Sequence, residues 1–88
     1  MHAIVVDVSI KDRDQTRREL RERTVPAVSQ APGFVSGFWM DYAEGKGHSV
    51  AVFESEAAAR AMLERLPANA PKAVTVENVQ VCEVVAHA

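Results

Sequence analysis

The sequence has few of the residues that small proteins use as covalent or metal-binding crosslinks. It contains one cysteine, Cys82, so no internal disulfide can form. The three histidines, His2, His48 and His87, are far apart and lack the close spacing that is typical of a zinc site. We therefore expect no metal and no other cofactor.

The sequence also lacks a strong charge of one sign and a long apolar run. Its formal net charge of -2 gives no reason to expect binding to nucleic acid or to anionic lipid. No apolar run approaches the roughly 18 residues that a membrane-spanning helix needs. Residues 1–6 do not have the pattern of a signal peptide. These features predict a cytoplasmic protein that binds neither nucleic acid nor membrane.

A cluster of arginines between positions 13 and 23 is balanced by acidic residues. Asp14 and Arg18 are i, i+4 neighbours, and so are Glu19 and Arg23. Opposite charges at this spacing support an exposed helix face. The cluster therefore indicates a solvated helix surface and not a binding patch.

The first third of the chain has the pattern of a strand followed by a helix. In the strand, at residues 3–10, one face is fully apolar, with Ile4, Val6, Val8 and Ile10. The other face is mixed and carries Asp7. Residues 12–31 are predicted to be helical, with a kink or a new start near Val25, because Pro26 has no N–H to donate.

The rest of the chain is predicted to form two strands, a helix and a last strand, at residues 34–41, 48–53, 56–66 and 74–86. Glycines between the two middle strands favour a hairpin turn. Ser55 is a good N-cap for the helix, and Pro67 is expected to end it. A break or bulge is expected near Glu77 in the last strand. No linker or repeat divides the chain, so residues 1–88 are predicted to form one domain.

This β-α-β-β-α-β order predicts an α+β, ferredoxin-like fold, with a four-stranded antiparallel sheet and both helices on one face. The opposite face would carry apolar side chains, namely Val5, Ala51, Phe53 and either Val35 or Trp39. Such a face is too apolar to be left in water. Pairing two copies around a two-fold axis would cover it, so we expect a homodimer arranged as a dimeric α/β barrel.

Two stretches of the chain carry a family resemblance. They are residues 31–37, APGFVSG, and residues 47–58, GHSVAVFESEAA. They resemble the antibiotic-biosynthesis-monooxygenase-like proteins of the dimeric α/β-barrel superfamily, and the likeness covers nearly the whole chain in order and length. The motifs are structural, comprising a helix stop, a hairpin and an N-cap. The superfamily includes cofactor-free oxygenases, haem-degrading enzymes, isomerases and proteins with no known activity.

The resemblance also argues against haem. The haem-degrading members end the strand before the second helix in a tryptophan, and they bind iron through a histidine from the second-helix region. Here Phe53 holds the first position, and residues 56–74 contain no histidine. Asp7 falls about where those enzymes place an asparagine. The pocket residues of the quinone-forming oxygenases cannot be matched here one by one.

Asp7 and His48 are the catalytic candidates. Asp7 lies in the middle of an apolar strand, where it could act as a general base on an activated phenol or enol. The alternative is a structural carboxylate at the wet edge of the sheet. His48 could transfer a proton near neutral pH, or it could be a surface histidine after a glycine turn.

Trp39, Tyr42 and Phe53 are the candidates for substrate binding, because together they could form an aromatic wall for a flat ligand. The alternative is a place in the sheet core or in the dimer interface, and for Phe53 the core is favoured. The sequence leaves open whether Trp39 or the Phe38 and Met40 side of the second strand lines the barrel interior.

These observations leave three functions open. The first is a small-molecule-handling protein that resembles cofactor-free monooxygenases acting on flat oxygenated aromatic or polyketide-like compounds. The second is a non-catalytic ligand-binding or stress-associated dimer. The third is a haem-binding protein, for which two of the three expected residues are missing.

Overall fold

The computed structural model describes residues 1–88, and its helices and strands lie between His2 and Glu83. The elements are β1 (His2–Ile10), α1 (Arg13–Glu19), α2 (Val25–Ser29), β2 (Phe34–Ala43), β3 (Lys46–Phe53), α3 (Glu56–Asn69) and β4 (Val74–Glu83). The strands form one antiparallel sheet in the order β2-β3-β1-β4. The predicted ferredoxin-like fold is confirmed.

Proline divides the first helical region where the sequence predicted. A π-helical segment, Leu20–Thr24, joins α1 to α2, and α2 begins at Val25. The N–H of Val25 bonds to the carbonyl of Leu20, five residues earlier. The next residue, Pro26, has no N–H and its ring crowds the preceding turn, so the regular α-helical pattern cannot pass through this point.

The last helix runs further than the sequence predicted. Ser55 caps α3 as expected, its Oγ accepting a hydrogen bond from the N–H of Ala58 at 3.1 Å. Pro67 was expected to end the helix, but α3 continues to Asn69. The expectation was wrong because a proline in the last turn removes only one hydrogen bond, and the N–H of Ala70 still reaches the carbonyl of Leu66 at 2.9 Å. No helix has the length and apolar character needed to cross a membrane.

The strand ends also differ from the prediction. β2 and β3 extend two residues further into the hairpin, where Gly45 has a φ of +70°. β4 ends at Glu83 and not at position 86. The expected irregularity in β4 is confirmed, because Asp7 pairs with Asn78 whereas Val8 pairs with Val76, which leaves Glu77 as a bulge.

The core lies between the sheet and the helices. It is formed by Ile4, Val6, Val28, Ala51, Phe53, Ala59 and Met62. The placement of Ala51 and Phe53 on the opposite face was therefore wrong. The register explains the difference: Ala51 pairs with Ile4, so it shares the helix-facing side of the apolar face of β1.

The side of the sheet turned away from the helices is called the open face below. By register and alternation it carries Val5 and Asp7 of β1, Phe38, Met40 and Tyr42 of β2, His48 and Val50 of β3, and Asn78 and Gln80 of β4. Phe38 and Tyr42 are each 62% exposed in the protomer. Trp39 pairs with Ser49 and lies on the helix-facing side, whereas Phe38 and Met40 lie on the open face.

Candidate functional site

A cavity of about 430 Å³ lies between the helix-facing side of the sheet and the first helical region. This volume is within the range of small-molecule sites. Most of its wall is apolar and is formed by Val6, Val8, Ile10, Leu20, Trp39, Leu66, Pro71, Val74 and Val76. The cavity is therefore suited to a ligand with an apolar body.

On the β3 side, the cavity is bordered by small residues. Gly47 and Ser49 are the β3 positions that face the helices beside it, paired with Val8 and Val6 of β1. A Cβ atom at Gly47 would lie only 3.0 Å from side-chain atoms of both Ile10 and Val8. Glycine at this position therefore lets two apolar side chains pack close to β3 at the cavity wall.

Trp39 forms the flat part of the cavity wall. A Cβ atom at Gly37 would lie 3.0 Å from two atoms of the Trp39 ring, so the indole lies along β2 over this glycine. Trp39 also packs against the edge of the core. It is the only tryptophan in the chain. The cavity thus has one aromatic surface, whose position is fixed by contacts with Gly37 and with the edge of the core.

One stripe of the first helical region faces the cavity, formed by Arg13, Thr16, Arg17, Leu20 and Thr24. These positions follow helical spacing. At the mouth, Nη2 of Arg17 lies 2.7 Å from Oδ2 of Asp41, near the end of β2. The mouth is therefore charged, whereas the wall around Leu20 is apolar.

Two threonines of this stripe have different partners. Thr24 donates a hydrogen bond from Oγ1 to the carbonyl of Asn69 at 2.6 Å. Thr16 is only 4% exposed, and its Oγ1 has no hydrogen-bond partner. Two other buried polar atoms lack a partner, but neither residue lines the cavity. Thr16 is thus a cavity-lining residue whose hydroxyl is not satisfied by any group of the protein.

Another side of the cavity is formed by Leu66, Ala70 and Pro71, at and after the end of α3. Hydrogen bonds tie this part of the chain to the first helical region. Arg23 donates from Nη2 to the carbonyl of Ala70 at 2.8 Å, next to the Thr24 bond. Glu19 accepts a hydrogen bond from the N–H of Lys72 at 2.8 Å. These bonds satisfy backbone groups at and beyond a helix terminus that have no partner within the helix.

The arginine cluster is largely exposed, as the sequence predicted for a solvated helix surface, but its charge partners differ from those expected. The expected ion pairs from Asp14 to Arg18 and from Glu19 to Arg23 do not form. Glu19 and Arg23 reach backbone groups beyond α3 instead, and Arg17 reaches β2. The prediction of a solvated surface did not identify the stripe of the same helical region that faces the cavity. Its helical spacing was visible in the sequence, but its long-range partners were not.

The two catalytic candidates, Asp7 and His48, are brought together on the open face. They are cross-strand partners, and Nδ1 of His48 lies 2.6 Å from Oδ1 of Asp7. Because a carboxylate oxygen accepts, the ring N–H at Nδ1 is the donor and Nε2 is left free, as in a general base oriented by an aspartate. Alternation along β3 directs the His48 side chain to the open face, although His48 is also among the residues that border the cavity.

A second polar pair lies beside Asp7 and His48 on the same face. Lys46 donates from Nζ to Oε1 of Glu77 at 2.9 Å and to Oγ of Ser9 at 3.1 Å. The hydrogen bond from Lys46 holds the pKa of the Glu77 carboxyl below its ordinary value, and the same bond raises the pKa of Lys46. The bulged residue of β4 is thus anchored to the neighbouring strands.

The three aromatic candidates do not form one wall. Trp39 lines the cavity. Tyr42 lies on the open face, where its ring meets the His48 ring edge to face at 6.4 Å between centroids. Phe53 is fully buried and packs against Phe34 at 5.9 Å, so it cannot contact a ligand from the core. No three His, Cys, Asp or Glu side chains lie close enough together to hold a metal ion.

Comparisons with known proteins show the fold. No protein-family model and no curated protein matches the chain. A protein of unknown function from Nitrosomonas europaea superposes with a TM-score of 0.75 at 20% identity, covering 99% of this chain and 91% of that one. A dimeric ferredoxin-like protein from an uncultured marine organism gives 0.65 at 12% identity, covering 99% and 97%. Protein YJCS gives 0.62 at 16% identity, covering 94% and 97%.

Proposed function

We propose that this protein binds a flat, oxygenated aromatic or polyketide-like small molecule in the cavity of each protomer. The observation that carries the proposal is the cavity of about 430 Å³ with the Trp39 ring along its wall. An aromatic ring that is already packed in the free protein loses little conformational entropy when a second ring stacks on it. The aromatic pair also adds to the free energy gained from apolar burial.

Oxygen atoms on the ligand would find hydrogen-bond partners among the cavity residues. The Thr16 hydroxyl has no partner within the protein. Ser49 also lines the cavity, on the sheet side. A few placed polar groups in a mostly apolar pocket are the usual means of fixing a ligand's orientation.

The binding test is a calorimetric titration with 2-naphthol, a small flat aromatic alcohol. We expect Trp39→Leu to weaken binding by about tenfold or more, since a lost aromatic pair and its burial correspond to at least that ratio. Phe38→Leu is the matched control, because Phe38 is the neighbouring aromatic residue on the open face. Unchanged binding in Trp39→Leu would refute the proposal.

A second variant covers the case in which Trp39→Leu unfolds the protein. Leu20→Trp adds volume from the opposite wall of the same cavity and removes no polar contact. It should also abolish 2-naphthol binding while the protein stays folded. Retained binding in this variant would place the ligand elsewhere.

The same proposal includes a homodimer that pairs two open faces. Phe38, Val50 and Val5 form a continuous apolar row across three strands of that face. An exposed apolar row that crosses a sheet is stabilised when it is covered, and a two-fold axis covers both copies at once. The marine ferredoxin-like protein of similar fold is described as dimeric.

A cofactor-free monooxygenase is the second candidate function, and the Asp7 and His48 pair favours it. Nε2 of His48 would remove the proton of a phenol, and Asp7 would stabilise the resulting imidazolium. A ring carbon of the electron-rich phenolate would then bond to dioxygen to give a hydroperoxide. Loss of the hydrogen on that carbon and cleavage of the O–O bond would leave one oxygen atom on the ring as a quinone carbonyl and release the other as water. The family resemblance in residues 31–37 and 47–58 supports this candidate. The pair lies on the open face, so this reaction would take place between the two sheets of the dimer and not in the cavity.

A further inference from the structure

The charged side chains at the cavity mouth leave an excess of positive charge. Those that line the cavity are Arg13, Arg17 and Asp41. Arg17 is paired with Asp41, whereas Arg13 makes no ion pair and no side-chain hydrogen bond. The depression outside the mouth adds Lys11 and Glu44, whose charges cancel. One arginine is therefore free to meet an anion at the mouth.

The distance between Trp39 and the arginines of the cavity is comparable to the length of a small aromatic molecule. Asp41, which holds Arg17, is two residues beyond Trp39 on β2, so the two positions are about 7 Å apart along the strand. Between the arginines in the helical stripe lies Thr16, whose buried hydroxyl lacks a partner. A two-ring ligand stacked on Trp39 would therefore extend its substituent toward the arginines and this hydroxyl.

We infer that the cavity selects flat aromatic ligands that carry a carboxylate, and that Arg13, Arg17 and Thr16 hold this group. The carboxylate accepts hydrogen bonds from the arginine side chains and from the Thr16 hydroxyl, which satisfies the orphaned group. Asp41 keeps Arg17 in place at the mouth. The inference rests on the proposed binding of a flat molecule in this cavity and adds the class of that molecule.

The test compares two probes of nearly the same shape, 2-naphthoate and 2-naphthamide, by calorimetric titration at neutral pH. Only the first carries a charge. We expect the wild-type protein to bind 2-naphthoate about tenfold more tightly, because hydrogen bonds to charged groups are the stronger ones. Arg13→Gln should remove most of this difference and leave the affinity for 2-naphthamide within about twofold.

Arg18→Gln is the matched control, since Arg18 is an exposed arginine of the same helix that does not line the cavity. It should leave both affinities unchanged, which separates a local contact from general attraction by the arginine cluster. Thr16→Val should weaken both probes, because each can accept a hydrogen bond from the hydroxyl. The same variant should raise the melting temperature of the free protein, because it removes an unpaired buried polar group.

Equal affinities of the wild-type protein for the two probes would overturn the carboxylate inference and leave the binding of flat molecules intact. An equal loss of 2-naphthoate affinity in Arg13→Gln and Arg18→Gln would also overturn it. Failure of both probes to bind would refute the proposed function itself.

Discussion

Gly33 shows how close packing can depend on the absence of one side chain. Its φ is +82°, in the left-handed region, and a Cβ atom there would lie 2.8 Å from the Cβ of Ala58 in α3. Its carbonyl accepts a hydrogen bond from the N–H of Glu54 at 2.8 Å. The Pro-Gly-Phe sequence therefore stops the first helical region and also lets α3 approach the start of β2.

We expect Gly33→Ala to lower the free energy of unfolding by at least about 2 kcal/mol, because it adds backbone strain and a steric clash. Gly45→Ala is the matched control, since Gly45 has a similar φ of +70° but open surroundings. It should cost about 1 kcal/mol, from the backbone term alone. Denaturant unfolding measures both, and equal losses would show that the contact with Ala58 does not matter.

Glu77 gives a pH-dependent prediction. Its pKa lies below the ordinary value of 4.5 in the folded protein, chiefly through the hydrogen bond from Lys46. A lowered pKa means that the pair stabilises the fold above about pH 4.5 and that this contribution is lost as the pH falls through the folded-state value. The effect should be small, since both side chains are more than 40% exposed.

Glu77→Gln should therefore be less stable than the wild-type protein at pH 7, and the two should converge as the pH falls below about 4. Denaturant unfolding at pH 7, 4 and 3 measures this. Glu44→Gln is the control, because Glu44 is an exposed turn residue without an ion pair. A difference for Glu77→Gln that persists at pH 3 would point to a cause other than the carboxylate charge.

The π-helical segment, Leu20–Thr24, precedes Pro26 and contributes Leu20 and Thr24 to the cavity wall. Thr24 and Arg23 bond to carbonyls at the end of α3. Thr24 is only 5% exposed, so Thr24→Val should leave a carbonyl without its partner and cost about 1–2 kcal/mol. Thr75→Val, at an exposed position in β4, should change stability by less than about 0.5 kcal/mol. Thermal melts that do not separate the two variants would contradict this role.

The order of the elements could be predicted from the sequence because periodicity, caps and turns are local signals. The sequence could not show which side of β3 faces the helices, because both sides carry apolar residues. Val50 or Ala51 could equally have faced the helices, and only the pairing with β1 decides between them. The same limit applied to Phe53, whose burial follows from this register.

The cavity could not be predicted for a related reason. Arg17 bonds to Asp41, 24 residues away, and Arg23 bonds to Ala70, 47 residues away. Charged residues at i, i+4 spacing gave a local explanation for the same sequence, so no signal was left to indicate the longer contacts. The pairing of Asp7 with His48 also depends on register, although both residues were candidates from the sequence.

The assembly of two protomers gives a test of the open face. Phe38→Lys places a charge at the β2 end of the apolar row, where pairing of the open faces would bury it, so we expect this variant to be monomeric. Ala61→Lys, on the exposed side of α3, should leave the assembly unchanged. Sedimentation velocity at micromolar concentration measures both. A wild-type protein that sediments as a monomer would refute the pairing of open faces.

The monooxygenase candidate is tested through Asp7 in the assembled protein. Asp7→Asn preserves the size of the side chain but removes the charge that would stabilise the His48 imidazolium. If the pair is a general base, oxygen uptake with a dihydroxynaphthalene should fall by about 100-fold or more while the dimer stays intact. His48→Gln should give the same loss. Leu20→Trp is the control for location, because filling the cavity should not affect a reaction on the open face.

A purely structural role for Asp7 predicts a different outcome. The loss of a charge-assisted hydrogen bond in Asp7→Asn would then lower the free energy of unfolding by about 1–3 kcal/mol, with no activity to lose. Thermal melts and oxygen uptake measured on the same samples separate the two roles. If the wild-type protein consumes no oxygen above the rate without protein, the monooxygenase candidate fails. Because the pair and the cavity lie on opposite sides of the sheet, ligand binding would stand unaffected.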